Sequence, residues 1–170
     1  MVRQAIILLL LSVALALAVN SISPNSIPLV GKWREISSGD GPVIPPDAEE
    51  GDPPFIGLEV ARMEHDQGEA VFIDSREPEE FACGTIPGSV NIPFDYLPSE
   101  GLDEYFDTTL AVPRDRLLIV FCSGEECDVS LHLARNLQAF GYTNVAIFFG
   151  GSREWEEFGE PVQRSPECAH

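Results

Sequence analysis

The sequence predicts an α/β domain in which helices cover both faces of a central parallel β-sheet. Three short apolar runs, at residues 70–74, 117–122 and 144–151, alternate with segments of helical periodicity. This alternation is typical of strands that run parallel, because each crossover uses a helix. The middle run is apolar on both of its faces, as the central strand of such a sheet must be.

The first strand is predicted between two helical segments. Residues 58–66 suit a short amphipathic helix, and the apolar run at residues 70–74 follows directly. The chain then reads REPEEFACG, in which Pro78 suits the first turn of a helix, while Glu79 and Glu80 suit its positive N-terminal end. This part of the chain therefore predicts the order helix, strand, helix.

The second half of the domain repeats the pattern. After the strand at residues 117–122, a helix is predicted over residues 128–141, with Gly141 as its C-terminal stop. The third strand lies within residues 144–151, and residues 152–158 predict a short last helix. Ligands of open α/β sheets bind beyond the carboxyl ends of the strands, so the loop after the central strand is the predicted site.

Composition limits the partners of this chain. Its 170 residues carry 10 Lys and Arg against 28 Asp and Glu, a net charge of −18, and 44% are hydrophobic. That length and apolar content predict one globular domain, and the acidic excess argues against nucleic acid as a partner. Four cysteines are too few for a disulfide scaffold, so we expect the fold to depend on its core.

The first 19 residues predict an export signal or a membrane anchor. An apolar run of fifteen residues, broken only by Ser12, spans residues 5–19 and follows a start with one positive charge. Fifteen helical residues extend about 22 Å, short of the roughly 30 Å hydrocarbon core, which favours a cleaved signal. Ala16 and Ala18 would place the cut before Val19. Retention by residues 5–19 as an anchor is the alternative, and both predict a location outside the cytoplasm, periplasmic or secreted.

The remaining boundaries follow from composition. Residues 20–54 are rich in Pro, Gly, Ser and acidic residues and predict a linker. The domain is expected over residues 55–164, and residues 165–170, which include Cys168, are expected to form a mobile tail. Cys83 is expected to pack beneath the turn that follows it.

Two separated motifs resemble the rhodanese family. VFIDSREPEEFACGTIPGSVNIPF, residues 71–94, resembles the family's first signature, and LLIVFC, residues 117–122, followed by a helix, VAIFFGG and Trp155, resembles its active-site strand and closing motif. The resemblance implies a rhodanese-like α/β fold and sulfurtransferase activity. In that chemistry Cys122 would attack the sulfane sulfur of a small donor and pass the resulting persulfide sulfur to a thiol acceptor, with no cofactor, and we expect a monomer.

The resemblance also implies a set of site residues. Cys122 would be the nucleophile, and its place between a strand end and a helix start favours the thiolate. Asp74 and Arg76 match the family's Asp-x-Arg and would fix the surrounding loops, with Ser130 in a supporting place at the helix start. The backbone cradle for the donor would come from the loop Ser123, Gly124, Glu125, Glu126 and Cys127.

The loop departs from the usual family pattern. CSGEECDVS is about two residues longer, contains no Arg or Lys, and carries Glu125, Glu126 and Asp128. Like charges a few ångströms apart cost about 1 to 4 kcal/mol each near a surface, so we expect thiosulfate, a dianion, to bind poorly. The same carboxylates would raise the pKa of the Cys122 thiol.

Cys127 lies five residues after Cys122 and leaves the function open. It could resolve an oxidised or persulfidated Cys122 by forming a disulfide, or it could simply pack at the helix cap. Three functions therefore compete: a sulfurtransferase, a redox protein that uses Cys122 and Cys127 as a dithiol pair, and a non-catalytic rhodanese-fold binding module. No metal is expected, because no second pair of ligands lies near the two cysteines.

Overall fold

The structure, a computed structural model, describes residue 4 and residues 41–124, 127–166 and 168. The chain divides into two units, residues 1–35 and 36–170, and every element given below belongs to the second. The predicted signal or anchor, residues 1–19, lies outside the described residues except at residue 4. No helix among the described residues is long and apolar enough to span a membrane.

The described elements follow the predicted alternation of helices and strands. The strands are β1 Val71–Asp74, β2 Val90–Asn91, β3 Leu118–Phe121 and β4 Val145–Phe148. The helices are α1 Leu58–Gln67, α2 Pro78–Cys83, α3 Leu102–Leu110, α4 Val129–Ala139 and α5 Gly151–Glu157, with one 3₁₀ turn at Phe94–Tyr96.

The four strands form one parallel sheet in the order β2-β1-β3-β4. The register sets Asp74 beside Phe121, and Phe121 beside Phe148. The carboxyl ends of β1, β3 and β4 are therefore level at one edge of the sheet. The fold class predicted from the sequence is confirmed, with β3 central and all four of its residues buried.

The core has two layers, one on each face of the sheet. Leu118 and Val120 of β3 belong to the layer that includes α4, while Ile119 and Phe121 belong to the layer that includes Trp155. This division follows from the alternation of side chains along a strand. Because both faces of β3 are covered, the residue that follows it, Cys122, begins in a fully buried position.

The N-terminal border of the domain differs from the prediction. Residues 41–54 were assigned to the linker on their Pro and Gly content, but they pack on the domain: Val43 joins the core, and Asp52 forms an ion pair with Arg135. The amide of Ile147 donates to Pro54, and the amide of Ile56 donates to Ile147. The sequence of such a segment shows neither helical nor strand periodicity, because irregular backbone contacts, rather than a helix or a strand, hold it on the domain. The remainder of the predicted linker, residues 20–40, lies outside the described residues.

The C-terminal segment also differs from the prediction, since a disulfide joins Cys83 to Cys168 across 85 residues. The Ser165 amide donates to Ala82 just before it. The expectation that Cys83 only packs beneath a turn is therefore wrong, and Cys168 has a bonded partner that the sequence does not predict. Cysteine spacing alone does not reveal pairing between residues this far apart. Residues 169–170 lie outside the described residues.

The disulfide carries a testable stability effect. Cys168→Ser should lower the free energy of unfolding by about 2 to 4 kcal/mol, because the bond closes a long loop and restricts the unfolded chain. Urea denaturation of both proteins measures the change. Wild-type protein treated with a thiol reductant should match the variant, whereas equal midpoints for oxidised wild type and variant would show that the bond contributes nothing.

Candidate active site

The candidate site lies at the carboxyl edge of the sheet, where β1 and β3 end side by side. Asp74 closes β1, and Cys122 is the first residue after β3. The backbone amide of Ser75 and its hydroxyl both donate to the carbonyl oxygen of Phe121, at 2.9 and 2.8 Å. These two bonds hold the segments that carry Asp74 and Cys122 together.

The Cys122 thiol is buried inside the protein. Its side chain is fully buried, and Sγ donates to the carbonyl oxygen of Cys127 at 2.9 Å. A longer contact, 3.8 Å, reaches the carbonyl oxygen of Gly124. The place of Cys122 between a strand end and a helix start predicts a thiolate, but carbonyl oxygens of Cys127 and Gly124 accept from Sγ here, which favours the protonated thiol.

Burial dominates the acidity of Cys122 and raises the pKa of its thiol, and neighbouring Cys127 raises it further. The backbone of Gly124 and the hydroxyl of Ser130 act in the opposite direction without offsetting burial. Cys122 therefore rests as a neutral thiol and must lose its proton before it can attack.

Cys127 differs from Cys122 in acidity and in exposure, since it is half-buried rather than fully buried. The neighbouring Cys122 thiol lowers the pKa of Cys127 to about 6, and hydrogen bonds from the backbone of Ser123 and Val129 add to this effect. Burial works against them. The negative charge of the cysteine pair therefore rests on Cys127 at neutral pH.

Ser130, in the first turn of α4, completes the surroundings of Cys122. Its side chain is fully buried, and its Oγ makes no hydrogen bond of ordinary length to any described residue. It lies close enough to Cys122 to lower the pKa of that thiol. The Ser130 hydroxyl is therefore placed to donate to the Cys122 sulfur when that sulfur carries a negative charge.

The start of α5 closes the other side of the loop. The amides of Ser152 and Arg153 donate to the carbonyl oxygens of Cys122 and Ser123, at 2.8 and 3.2 Å. Gly151 has a φ of +63°, and a Cβ there would lie 2.3 Å from the Cys122 oxygen. Any other residue at this position would push the loop away, which explains the second glycine of VAIFFGG.

Asp74 and Arg76 form a buried pair beneath the site. Arg76 donates to the Asp74 carboxylate at 2.9 and 2.6 Å and to the carbonyl oxygen of Gly84 at 2.6 Å. The Thr85 hydroxyl donates to the same carboxylate at 2.7 Å. Asp74 therefore joins the end of β1 to the segment after α2, and Arg76 lies near enough to Cys122 for that residue to help raise the pKa of its guanidinium.

A surface cavity of about 360 Å³ lies beside the loop. Its walls include Arg76, Thr85, Ser123, Arg153 and Trp155, but not the sulfur of Cys122. The loop itself has no cation, and Arg153 of α5 supplies one where α5 meets the loop. Sequence reasoning missed Arg153 because the contact depends on packing between distant segments.

Among the predicted site residues, the structure brings together Cys122, Ser123, Gly124, Cys127 and Ser130. Glu125 and Glu126 lie outside the described residues. Asp74 and Arg76 lie beneath these residues as supports. Within the described part of the chain, no group of three or more His, Cys, Asp or Glu side chains is placed to hold a metal ion.

Comparisons with known proteins bear on the family and the fold of this chain. A family model for the rhodanese-like domain matches residues 58–158. Human thiosulfate:glutathione sulfurtransferase is 33% identical over 111 residues, which cover 61% of this chain and 94% of the human protein. The Saccharomyces cerevisiae protein of the same name is 30% identical over 95 residues, 52% of this chain and 66% of the yeast protein. The structure of a human single-domain sulfurtransferase superposes with a TM-score of 0.52 at 30% identity, covering 63% of this chain and 97% of that one.

Proposed function

The chain belongs to the rhodanese-like domain family, and on that premise we propose that it is a sulfurtransferase that carries sulfane sulfur as a persulfide on Cys122. The observation that carries the proposal is the position of Cys122. It follows the central strand directly, and its backbone is held by α5 on one side and by β1 through Phe121 on the other. Sulfurtransferases are also among the relatives, and the human one matches over nearly its whole length.

The reaction begins with a proton transfer. Cys122 rests as a thiol and gives its proton to solvent as the donor binds, because a Cys127 thiolate with a pKa of about 6 is too weak a base to hold that proton. The Cys122 thiolate then attacks the sulfane sulfur of the donor, and the donor's S–S bond breaks, so that its remainder leaves with the bonding electron pair. A thiol acceptor attacks the outer sulfur of the persulfide in a second step and restores Cys122.

Ser130 and the start of α5 fit this cycle. The buried Oγ of Ser130 is available to donate to the anionic sulfur when Cys122 loses its proton. The amides of Ser152 and Arg153 hold the backbone oxygens of Cys122 and Ser123, so the nucleophile keeps its place while the charge on it changes. These contacts support catalysis because they hold the nucleophile in place, and the proposed reaction requires no cofactor.

The transfer assay tests the proposal with purified full chain. Inorganic polysulfide or thiosulfate serves as donor and glutathione as acceptor, and the product is glutathione persulfide trapped with an alkylating reagent. We expect turnover, with thiosulfate the weaker donor because of the acidic loop, and its KM should fall as salt screens those charges. No product with either donor would favour the binding-module reading instead.

We propose further that the domain works outside the cytoplasm. The apolar run at residues 5–19 supports this location, and so does the disulfide between Cys83 and Cys168, since such bonds persist in oxidising compartments. N-terminal sequencing of protein from the native host should find a chain that begins near Val19. An intact Met1 in the membrane fraction would indicate an anchor, and a fully cytoplasmic protein would contradict the proposal.

A further inference from the structure

Two free thiols share the loop of the candidate site. Cys83 and Cys168 are joined to each other, while Cys122 and Cys127 are both unbonded. The described ends of the loop are in contact, since the amide of Cys127 donates to the carbonyl oxygen of Gly124 at 2.9 Å. The carbonyl oxygen of Cys127 lies 2.9 Å from the Cys122 sulfur, and each thiol shifts the pKa of the other.

The two thiols differ in access and in charge. Cys122 is fully buried, whereas Cys127 is half-buried and lies just before the N-terminus of α4. The backbone of Ser123 and of Val129 favours an anionic sulfur at Cys127. A thiolate next to a buried cysteine is placed to attack the Sγ of that cysteine when a second sulfur is bonded to it.

We propose that Cys127 discharges the Cys122 persulfide inside the protein, which releases the sulfane sulfur as sulfide. This inference rests on the proposed function, because it needs a persulfide on Cys122. It assigns Cys127 a catalytic role that the transfer reaction to an external acceptor does not require.

The step balances within the loop. The Cys127 thiolate attacks the Cys122 Sγ, a bond forms between the two cysteine sulfurs, and the bond from Sγ to the outer sulfur breaks. The outer sulfur leaves as HS⁻ with the bonding pair, so the sulfane sulfur is reduced while the two cysteines are oxidised to a disulfide. An external dithiol, or two equivalents of a monothiol, must then reduce that disulfide before the next cycle.

This step changes what the protein makes. Discharge by an external thiol gives a persulfidated acceptor, whereas discharge by Cys127 gives free sulfide and a Cys122–Cys127 disulfide. The compartment proposed above permits such a disulfide, since it is not kept reduced by cytoplasmic thiols. The reductant, rather than a sulfur acceptor, is then the second substrate.

A single loading experiment tests the step. Full chain is loaded with inorganic polysulfide, desalted, and held without any thiol while intact mass and released sulfide are followed. Wild type should gain about 32 Da, then convert to a form about 2 Da lighter than the starting protein as about one sulfide per chain appears. Cys127→Ser should keep the gain for at least about ten times longer and release no sulfide, because its hydroxyl is a weak nucleophile.

Asp115→Asn is the control, since Asp115 is exposed, lies outside the loop and keeps both thiols, and it should discharge as wild type does. A wild type that holds the added sulfur as long as Cys127→Ser would overturn the inference and leave the proposed function standing. Failure of wild type to gain mass would contradict the proposed function itself. The wild-type result is decisive even if Cys127→Ser folds poorly, and Cys127→Ala then replaces that variant.

Discussion

Cys122→Ser is expected to abolish sulfur transfer while leaving the thermal midpoint of unfolding nearly unchanged. Serine keeps the volume of the buried side chain, and its hydroxyl can donate to the Cys127 oxygen as the thiol does. An alcohol is a far weaker nucleophile and cannot hold a persulfide, so turnover should fall by at least about a thousandfold. The transfer assay and a thermal melt measure the two properties on the same preparation.

Cys127→Ser is the matched variant for this comparison, because it removes the other free thiol of the same loop. It should still load sulfur and still pass it to glutathione, although its discharge without a thiol is slow. Turnover of Cys122→Ser at the wild-type rate would show that sulfur is carried on another group, and it would remove Cys122 from its assigned role.

Asp74→Ala should cause the largest loss of stability among single changes near the site. The carboxylate is fully buried and accepts from the Arg76 side chain and backbone and from the Thr85 hydroxyl. Removing it leaves a buried guanidinium without its anion, which costs about 3 to 5 kcal/mol. Sulfur transfer should decline with the folded fraction, since Asp74 does not contact either cysteine sulfur.

Urea denaturation measures this loss, and Asp115→Ala is the matched control because Asp115 is exposed and should change the free energy of unfolding little. Arg76→Met in the Asp74→Ala background should recover part of the loss, because it removes the stranded charge. A free energy for Asp74→Ala within about 0.5 kcal/mol of the control would show that the pair does not hold these segments together.

The sequence predicted the strands that carry the site because their signals are local. β1, β3 and β4 are apolar runs bounded by turns and helices, so their order and parallel arrangement followed from the pattern. β2 has only two residues, too few for any alternation, and α3 was not predicted although it buries Phe106 and Leu110. Elements this short, or recognised only through what they pack against, leave little periodic signal.

The chemistry of the site was less accessible than its position. The place of Cys122 after the central strand could be predicted, but the direction of the Gly124 and Cys127 carbonyl oxygens could not, because local sequence does not determine it. Arg153 and the disulfide of Cys168 involve segments far apart in the chain. Long-range contacts of this kind arise from packing. They leave no fixed residue spacing in the sequence that a motif could match.

Locating the added sulfur in the chain tests the central claim most directly. Wild type loaded with polysulfide is alkylated at once, digested without reduction, and its cysteine peptides are sequenced by mass spectrometry. Fragmentation should place the persulfide on Cys122 itself rather than on Cys127. Cys83 and Cys168 should still be joined to each other. A persulfide found only on Cys127, or on neither cysteine of the loop, would contradict the assignment of Cys122 as the sulfur carrier.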